Sequence, residues 1–492
     1  MKKTILLFII SLLVFQGNSQ EKIQLGLEEV MNIAASQSID AFRNKNMYLA
    51  SYWEFRYYQA ERLPGISLNA NPIDFNRYRG IEYNFETGED EYRLREYVNS
   101  DLTMSAMQNV ALTGGQLFLQ SNVGMVKNLG GDQKTSFSAT PISIGFMQDL
   151  NGYNELKWKA KIEPLKFEMA KKEFIQDIED LRIKSTSRFF ELITAQIQKG
   201  IAETNYSNAD TLYKIGQGRF QVGTVTQDEL LKLELSLLNA EQALSLAQLE
   251  EKRAQASLNS FLGLDKNTDI ECIVPSNIPD LQINVDIAIS QAIENNPEML
   301  SHKQQLLEQD ENVAQTKSEA GINTSLFAMY GLSQSSENFE DVYNQPDKSQ
   351  RFNIGMNIPI VDWGRRKGQY SMAKSNREVA RATIRQERID FEMDVMQSVL
   401  EFNLQGSQVA NAAKADTVAQ MGYNVTFQRF LIGKIDVIKL NIASTDQETA
   451  RIAYLNMLRN FWTSYYRIRS LTLFDFEKNA PLVVDYDKIL EN

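Results

Sequence analysis

The side chains that could support covalent or metal chemistry are few and scattered. The single histidine, His302, stands among Lys303, Gln304 and Gln305 on an amphipathic helical stretch, where a solvated imidazole is expected. The single cysteine, Cys272, has no partner for an internal disulfide and reads as a small buried apolar residue. No paired Cys/His spacing suggests a metal site, so neither metal nor cofactor is expected. "GQGRFQVG" (216–223) is glycine-rich, but it follows a helical stretch rather than a strand and so lacks the setting of a phosphate-binding loop. With no nucleophile beside a base, the sequence does not read as an enzyme.

Charge placed at two short interruptions is what remains. "RFQVGTVTQDEL" (219–230) and "RFLIGKIDVIKL" (429–440) share Arg, Phe, Gly and Leu at matching places, 210 residues apart. In the first, Thr226 and Glu229 have the spacing of a capping box. In the second, Asp436 is a good N-cap, with Lys439 where the box would want Glu. Each interruption therefore reads as a helix end, a glycine turn and a capped helix start.

The elements around them come from a tandem duplication. "LEEVMNIA" (27–34) aligns with "VDIAISQA" (285–292), and "AERLPGISL" with "SEAGINTSL" at the same offset of 258. From "IGFMQDL" (144–150) onward the offset is 210, because the first copy carries an insertion. The expected organisation is a signal peptide at 1–19, a first repeat at 20–264, a linker at 265–282, a second repeat at 283–474 and a tail at 475–492. Each repeat reads helix, strands, long helix, interruption, helix.

The final helix of each repeat has apolar residues in steps of three and four: Leu230, Leu233, Leu237, Ala240, Leu244, Ala247, Ala254, Leu258 and Phe261 in the first. The second gives Leu440, Ala443, Gln447, Ala450, Tyr454, Met457, Phe461, Ser464, Ile468 and Leu471. That period calls for knobs-into-holes packing. The preceding helices, expected over about 155–215 and 365–428, are too long for a compact globule, and Pro164 should bend the first or mark its onset.

Between the helices, short runs alternate with period two. Ile66, Leu68 and Ala70 oppose Ser67, Asn69 and Asn71; Ile142, Ile144, Phe146 and Leu150 oppose Ser143, Gly145 and Asp149. Leu326, Ala328 and Tyr330 oppose Ser325 and Gly331, and Phe352, Ile354, Met356, Ile358 and Ile360 oppose Asn353, Gly355, Asn357 and Pro359. The insertion adds two such runs around Gly114 and Gly115 (100–126), and "ETGEDE" (86–91) reads as an exposed loop. Soluble half-buried strands alternate too, but the context favours the membrane. Lys2 and Lys3 precede an apolar run too short to span as a helix, and no later stretch is long and apolar enough, so a membrane protein of this sequence must cross as a β-barrel. The net charge of −12 argues against nucleic acid as a partner.

The two R-F-x-x-G interruptions, the passage "IPIVDWGRRKGQ" (358–369) and the heptad-like final helices together resemble the TolC family of outer-membrane channel proteins over nearly all the mature chain. The resemblance implies an α+β fold, in which a membrane β-barrel is continued by a long α-helical coiled-coil barrel in the periplasm. It implies a homotrimer in outer-membrane lipid, served by a periplasmic adaptor and an inner-membrane pump of the RND or ABC type. The function so implied is a passive exit duct for efflux or type I secretion in a Gram-negative cell. A periplasmic structural coiled-coil protein is the competing reading.

By the same resemblance Arg219, Gly223, Arg429 and Gly433 lie at tip turns that contact the adaptor, capped by Thr226 and Asp436. Glu229, Lys232, Lys439 and Ile442 occupy the positions of a gating ring that is acidic in the family and is not acidic in the second repeat here. Tyr153 and Trp363, just past matching strands, are candidates for an interfacial aromatic girdle. Family protomers give four strands and this sequence offers six; the extra hairpin is expected to project outside the cell rather than widen the barrel.

Overall fold

The computed structural model describes residues 22–491 apart from 86, 131–133, 151, 276 and 359. The expected signal peptide and the Pro359 assignment therefore lie outside the described residues. The chain divides into two units. One comprises the chain as far as Leu49, Ala170–Met299 and everything from Arg388 on; the other comprises Ala50–Met169 and Leu300–Glu387.

The elements in order are β1 (Ile23–Leu25), α1 (Leu27–Gln37), α2 (Ile39–Glu61), β2 (Gly65–Asn84), β3 (Glu89–Val110), β4 (Gly115–Asn128), β5 (Thr135–Asp149), α3 (Glu155–Gln221) and α4 (Gln227–Leu262). They continue with β6 (Ile270–Cys272), α5 (Val285–Asn295), α6 (Pro297–Glu319), β7 (Asn323–Ser336), β8 (Asp347–Asn357), α7 (Arg365–Leu431), α8 (Val437–Thr472), β9 (Phe474–Asp475), β10 (Ala480–Pro481) and a last turn of helix, α9 (Tyr486–Glu491).

Several expectations are corrected here. The first helix of each repeat is two helices. Ser38 breaks one and its Oγ accepts from the Ala41 N–H at 3.1 Å; Asn296 breaks the other, before Pro297, and accepts from the Glu298 N–H at 2.9 Å. The long helices α3 and α7 run 67 residues each, six or three residues past the expected ends. Helix α3 starts at Glu155 and continues through Pro164, so the proline does not mark its onset.

The main core of the helical unit buries Val30 and Ala34 of α1, Phe189 and Leu192 of α3, Leu258 and Leu262 of α4, Val399 and Phe402 of α7, and Phe461 of α8. Strands β1 and β6 pair in parallel beside it. Every heptad position named above on α4 and α8 is buried or half-buried, whereas Leu231, Leu235 and Leu238 on the other face of α4 are more than half exposed. The period thus marks the packed face.

The second unit holds a six-stranded sheet of order β2-β3-β4-β5-β7-β8, with every adjacent pair antiparallel. The extra hairpin does not project from this sheet. It pairs with β2 and β5 on either side, and β3–β4 holds register from Val110↔Gly115 to Tyr97↔Asn128. What extends beyond β4 is the β2–β3 ribbon, where Tyr78↔Arg95 through Asn84↔Glu89 pair in the ladder with each other alone, and Glu89–Glu91 of the expected loop are strand. Register shifts fall at Asn71/Asp74 and in β5 between Ala139 and Ser143. Pro72 and Pro141 lie inside these shifts, where a missing N–H costs no ladder bond.

Candidate pore wall and tip turns

Cross-strand register decides which side chains share a face, because directly opposed residues point the same way. Leu68 opposes Met104, Ala106 opposes Leu119, Leu119 opposes Ile144, Ile144 opposes Tyr330, and Ala328 opposes Phe352. One apolar band therefore crosses all six strands, including the inserted pair. It is open to its surroundings: Ile66 is 69% exposed and Phe352 70%.

The other face is polar and closer-packed. Ser67 and Ser105 share a hydrogen bond of 2.9 Å, Asn122 Nδ2 donates to Thr103 Oγ1 at 2.6 Å, and Ser143 Oγ donates to the Gln120 carbonyl at 3.2 Å. Toward the end of the sheet where β3 turns into β4, this face carries an aromatic patch that alternation did not reveal. Phe118 lies over Gly145, where a Cβ would collide with the ring, and stacks on Phe327 with centroids 5.7 Å apart; Arg351 lies over Phe327 at 5.5 Å. The adjoining β3–β4 turn is tied down by Asn154 Nδ2 to the Ala111 carbonyl at 3.0 Å and Gln148 Nε2 to the Thr113 carbonyl at 2.9 Å.

Just past the strands, Tyr153 donates its hydroxyl to Glu311 Oε1 on α6 at 2.9 Å, which turns its polar end into the protein. Trp363 is 96% exposed, and with Gly364 it adopts positive φ. Asp362 accepts from the N–H groups of Gly364 and Arg366 at 3.0 and 3.2 Å to start α7, and these donors hold its carboxyl below the usual range. Arg366 reaches back to the Glu319 carbonyl at the end of α6 at 3.0 Å. The arginine pair of "DWGRRKGQ" thus includes one that caps a neighbouring helix.

At the interruptions, the recurrence of Arg, Phe and Gly has a backbone cause. Thr224 N–H donates to the Arg219 carbonyl and Gly223 N–H to the Phe220 carbonyl, both at 2.9 Å, with Gly223 at φ 74°. Lys434 to Arg429 at 3.0 Å and Gly433 to Phe430 at 2.8 Å, with Gly433 at φ 73°, repeat the arrangement. This is a Schellman stop, in which the left-handed residue after the helix is glycine because a Cβ there is strained. In both copies the next helix begins four residues after the glycine, at Gln227 and at Val437. Glu229 N–H donates to Thr226 Oγ1 at 3.3 Å while Thr226 N–H donates to the Glu229 carboxylate at 3.0 Å; Lys439 N–H donates to Asp436 at 2.9 Å.

The two turns share a small core of Leu212, Leu233, Tyr423 and Leu440, with Phe430 and Val437 against it. Asn208 Nδ2 donates to the Tyr423 hydroxyl at 2.7 Å. A cleft of about 310 Å³ lies between the turns, lined by Arg219, Thr224, Glu229, Phe430 and Asp436 among others.

The hairpins differ inside. Gly216 lies under Leu233, whose Cδ1 would be 2.5 Å from a Cβ at that position. The equivalent residues of the second repeat are Thr426 and Ala443, so a small–large pair is replaced by the reverse. Gly216→Thr alone is expected to destabilise the first hairpin by about 1–3 kcal/mol, and adding Leu233→Ala to recover part of that loss. Thermal melts of the two single variants and the double variant form the cycle; a double variant no better than the sum of the singles refutes the pairing.

Of the candidate gating residues, Glu229 is occupied by its capping box and Lys232 by Asp228 at 2.6 Å. Lys439 and Ile442 are exposed, and the Lys439 ammonium has no ion pair among the described residues. His302, expected in solvent, is 7% exposed, with Nε2 3.2 Å from Glu387 Oε2. Cys272 is a free thiol whose pKa burial pushes up to about 12, which suits a structural role. Sequence reasoning missed Arg469. Its guanidinium, 7% exposed, bonds Glu179 at 2.9 and 3.2 Å and Asp475 at 2.6 Å, joining α3, α8 and the segment after α8.

Residues 288–472 match the family described as outer membrane efflux protein. No curated protein matches the chain. Among solved structures it is similar to the Campylobacter jejuni CmeC outer membrane channel, at 15% identity over 94% of this chain and 88% of that one, with a TM-score of 0.66. The CusC structure aligns at 13% identity over 93% and 95% of the two chains, TM-score 0.61. The outer membrane protein VceC of Vibrio cholerae aligns at 12% over 91% and 95%, TM-score 0.57. Likeness at such identities is one of fold. By fold along its length and by sequence across residues 288–472, the chain resembles the TolC family of outer-membrane channel proteins.

Proposed function

We propose that the protein is the outer-membrane channel of a tripartite efflux or type I secretion system, a passive duct assembled from three copies and joined through a periplasmic adaptor to an inner-membrane pump. The observation that carries this reading is the continuous apolar band across all six strands, opposite a face that mixes Ser, Asn and Gln side chains with the Phe118–Phe327 patch. Assembly from several copies is supported by apolar residues left open on the long helices. Ile389, Met393, Leu400, Val418, Met421 and Val425 of α7 are each 47% exposed or more, in steps close to a heptad.

In this reading Arg219, Gly223, Arg429 and Gly433 shape the turns that meet the adaptor, and Lys439 and Ile442 face the tunnel mouth. Three Lys439 ammonium groups around one axis would attract anions. Purified protein in a planar bilayer is expected to conduct with anion preference, and Lys439→Glu to lose it. Glutamate at that position also suits the first turn of a helix, so folding is not at issue. An unchanged preference refutes the gating role of Lys439. Absence of the protein from outer-membrane extracts, or absence of conductance, refutes the duct and favours the structural coiled-coil reading.

A further inference from the structure

The sheet ends in two strands, β2 and β8, each with one edge unpaired among the described residues. Backbone groups exposed on a strand edge have no water to bond in hydrocarbon, so these edges must find a strand each. Six strands in antiparallel succession leave β2 and β8 running in opposite directions. The β8 edge of one copy can therefore receive the β2 edge of the next without breaking the antiparallel rule. The faces agree as well. Ile66, Leu68 and Ala70 on β2 and Ile354, Phe352 and Met356 on β8 belong to one apolar band, reached by register through every intervening strand. Charged pairs such as Arg77–Glu96 stand on the β2–β3 ribbon beyond it, where the edge needs no partner because water is available.

We propose that three copies close one barrel of eighteen strands, with β8 of each chain paired to β2 of the next, rather than the twelve strands that four per protomer would give. The proposal rests on the three-copy duct reading and adds the seam and the strand number. Strands about 4.8 Å apart and tilted by about 40° give a backbone diameter of roughly 36 Å for eighteen strands, against roughly 24 Å for twelve. A barrel of this size leaves an open aqueous bore, while eight strands are filled by their own side chains. The outer-membrane segment would then not be the narrow part of the path, and selection would fall to the helical tunnel and its turns.

The inserted hairpin is what sets the bore. Its strands lie inside the sheet, so they enlarge the circumference instead of capping it.

The test uses the full chain in outer membranes on a Cys272→Ala background. One cysteine is placed on β2 (Ser67→Cys, Asn69→Cys or Asn71→Cys) and one on β8 (Ser349→Cys, Asn353→Cys or Gly355→Cys), all on the polar face; the nine pairs scan the unknown stagger. Oxidation of at least one pair is expected to give a covalent ladder ending at a trimer, with neither single-cysteine parent forming it. A ladder ending at a dimer means twelve strands from two copies and overturns the proposal. A cross-link confined to one chain means the sheet closes on itself and overturns it too. A protein that is trimeric by native mass and conducts, but cross-links in none of the nine pairs, has another seam; the proposal then falls while the duct stands. Failure to reach the outer membrane or to conduct removes the duct reading itself.

Discussion

Replacing Arg469 with alanine is expected to cost about 3 kcal/mol or more of stability, the largest loss from any single change to a polar group here. The guanidinium is the shared cation of two carboxylates in the helical unit, Glu179 on α3 and Asp475 just after α8, all three buried. The guanidinium lies over Tyr465 and Tyr466, its carbon 5.5 and 5.9 Å from the ring centres. Removing one partner of a buried ion cluster leaves uncompensated charge in low dielectric, which costs more than the pair contributed. Glu179 keeps Arg182 at 3.1 Å, so the orphaned group is chiefly Asp475.

The cause is separable from lost packing. Arg469→Met with Glu179→Gln and Asp475→Asn removes the charges together and should recover most of the loss, because a neutral, packed replacement of a buried ion pair is often as stable as the pair. If the triple variant is no better than Arg469→Ala, packing rather than charge explains the effect. The pH dependence follows from Asp475. Burial alone would raise its pKa, but the Lys478 N–H and the Arg469 guanidinium hold it below the ordinary carboxylate value. A carboxyl lowered by folding contributes its stability above its unfolded pKa and loses it as pH falls through the folded value. Thermal melts should therefore show wild-type stability falling below about pH 4, and a shallower fall in Asp475→Asn.

Much of this architecture could be read from the residues, for reasons that are local. The R-F-x-x-G turns follow from a single glycine that must take positive φ, and the helix starts follow from Thr226 and Asp436, so four or five neighbouring residues suffice. The heptad positions on α4 and α8 predicted the buried face, because a helix bears the same face for 36 residues. Strand faces were legible wherever alternation was unbroken. They failed to show strand length because Pro72 and Pro141 sit at register shifts; a proline that looks like a terminator is, at a bulge, only a phase change.

What was illegible depends on partners far along the chain. The Arg469–Glu179 contact spans 290 residues, and buried His302 is met by Glu387 of α7, 85 residues on. Nothing adjacent to His302 distinguishes it from a solvated residue. Arg469 carried one unused signal: it stands three and four residues after Tyr466 and Tyr465 and three before Thr472, on a helix face that is otherwise core. The helix breaks at Ser38 and Asn296 align in the two repeats and were readable as N-caps, yet apolar periodicity carries across both and hid them.

Leu119→Arg and Gln120→Arg, neighbours on β4, are expected to differ sharply. Leu119 is in the apolar band, opposed to Ala106 and Ile144 and 44% exposed, while Gln120 is on the polar face opposite Ser105 and Ser143. An arginine on the lipid face near mid-membrane costs about 2–4 kcal/mol, and on a water-lined face far less. Leu119→Arg should thus lower folding efficiency in vesicles by tenfold or more, since 1.4 kcal/mol is a factor of ten. Gln120→Arg should fold nearly as the wild type and instead alter ion preference by adding positive charge to the bore. Both residues lie in the inserted hairpin, so the pair tests whether that hairpin is membrane wall. If it stood in water outside the membrane, both arginines would be solvated and the two variants would fold alike. If the sheet were wall with its faces reversed, Gln120→Arg would be the damaging change. Vesicle refolding followed by gel shift, with single-channel recording of whichever variants fold, distinguishes the three outcomes.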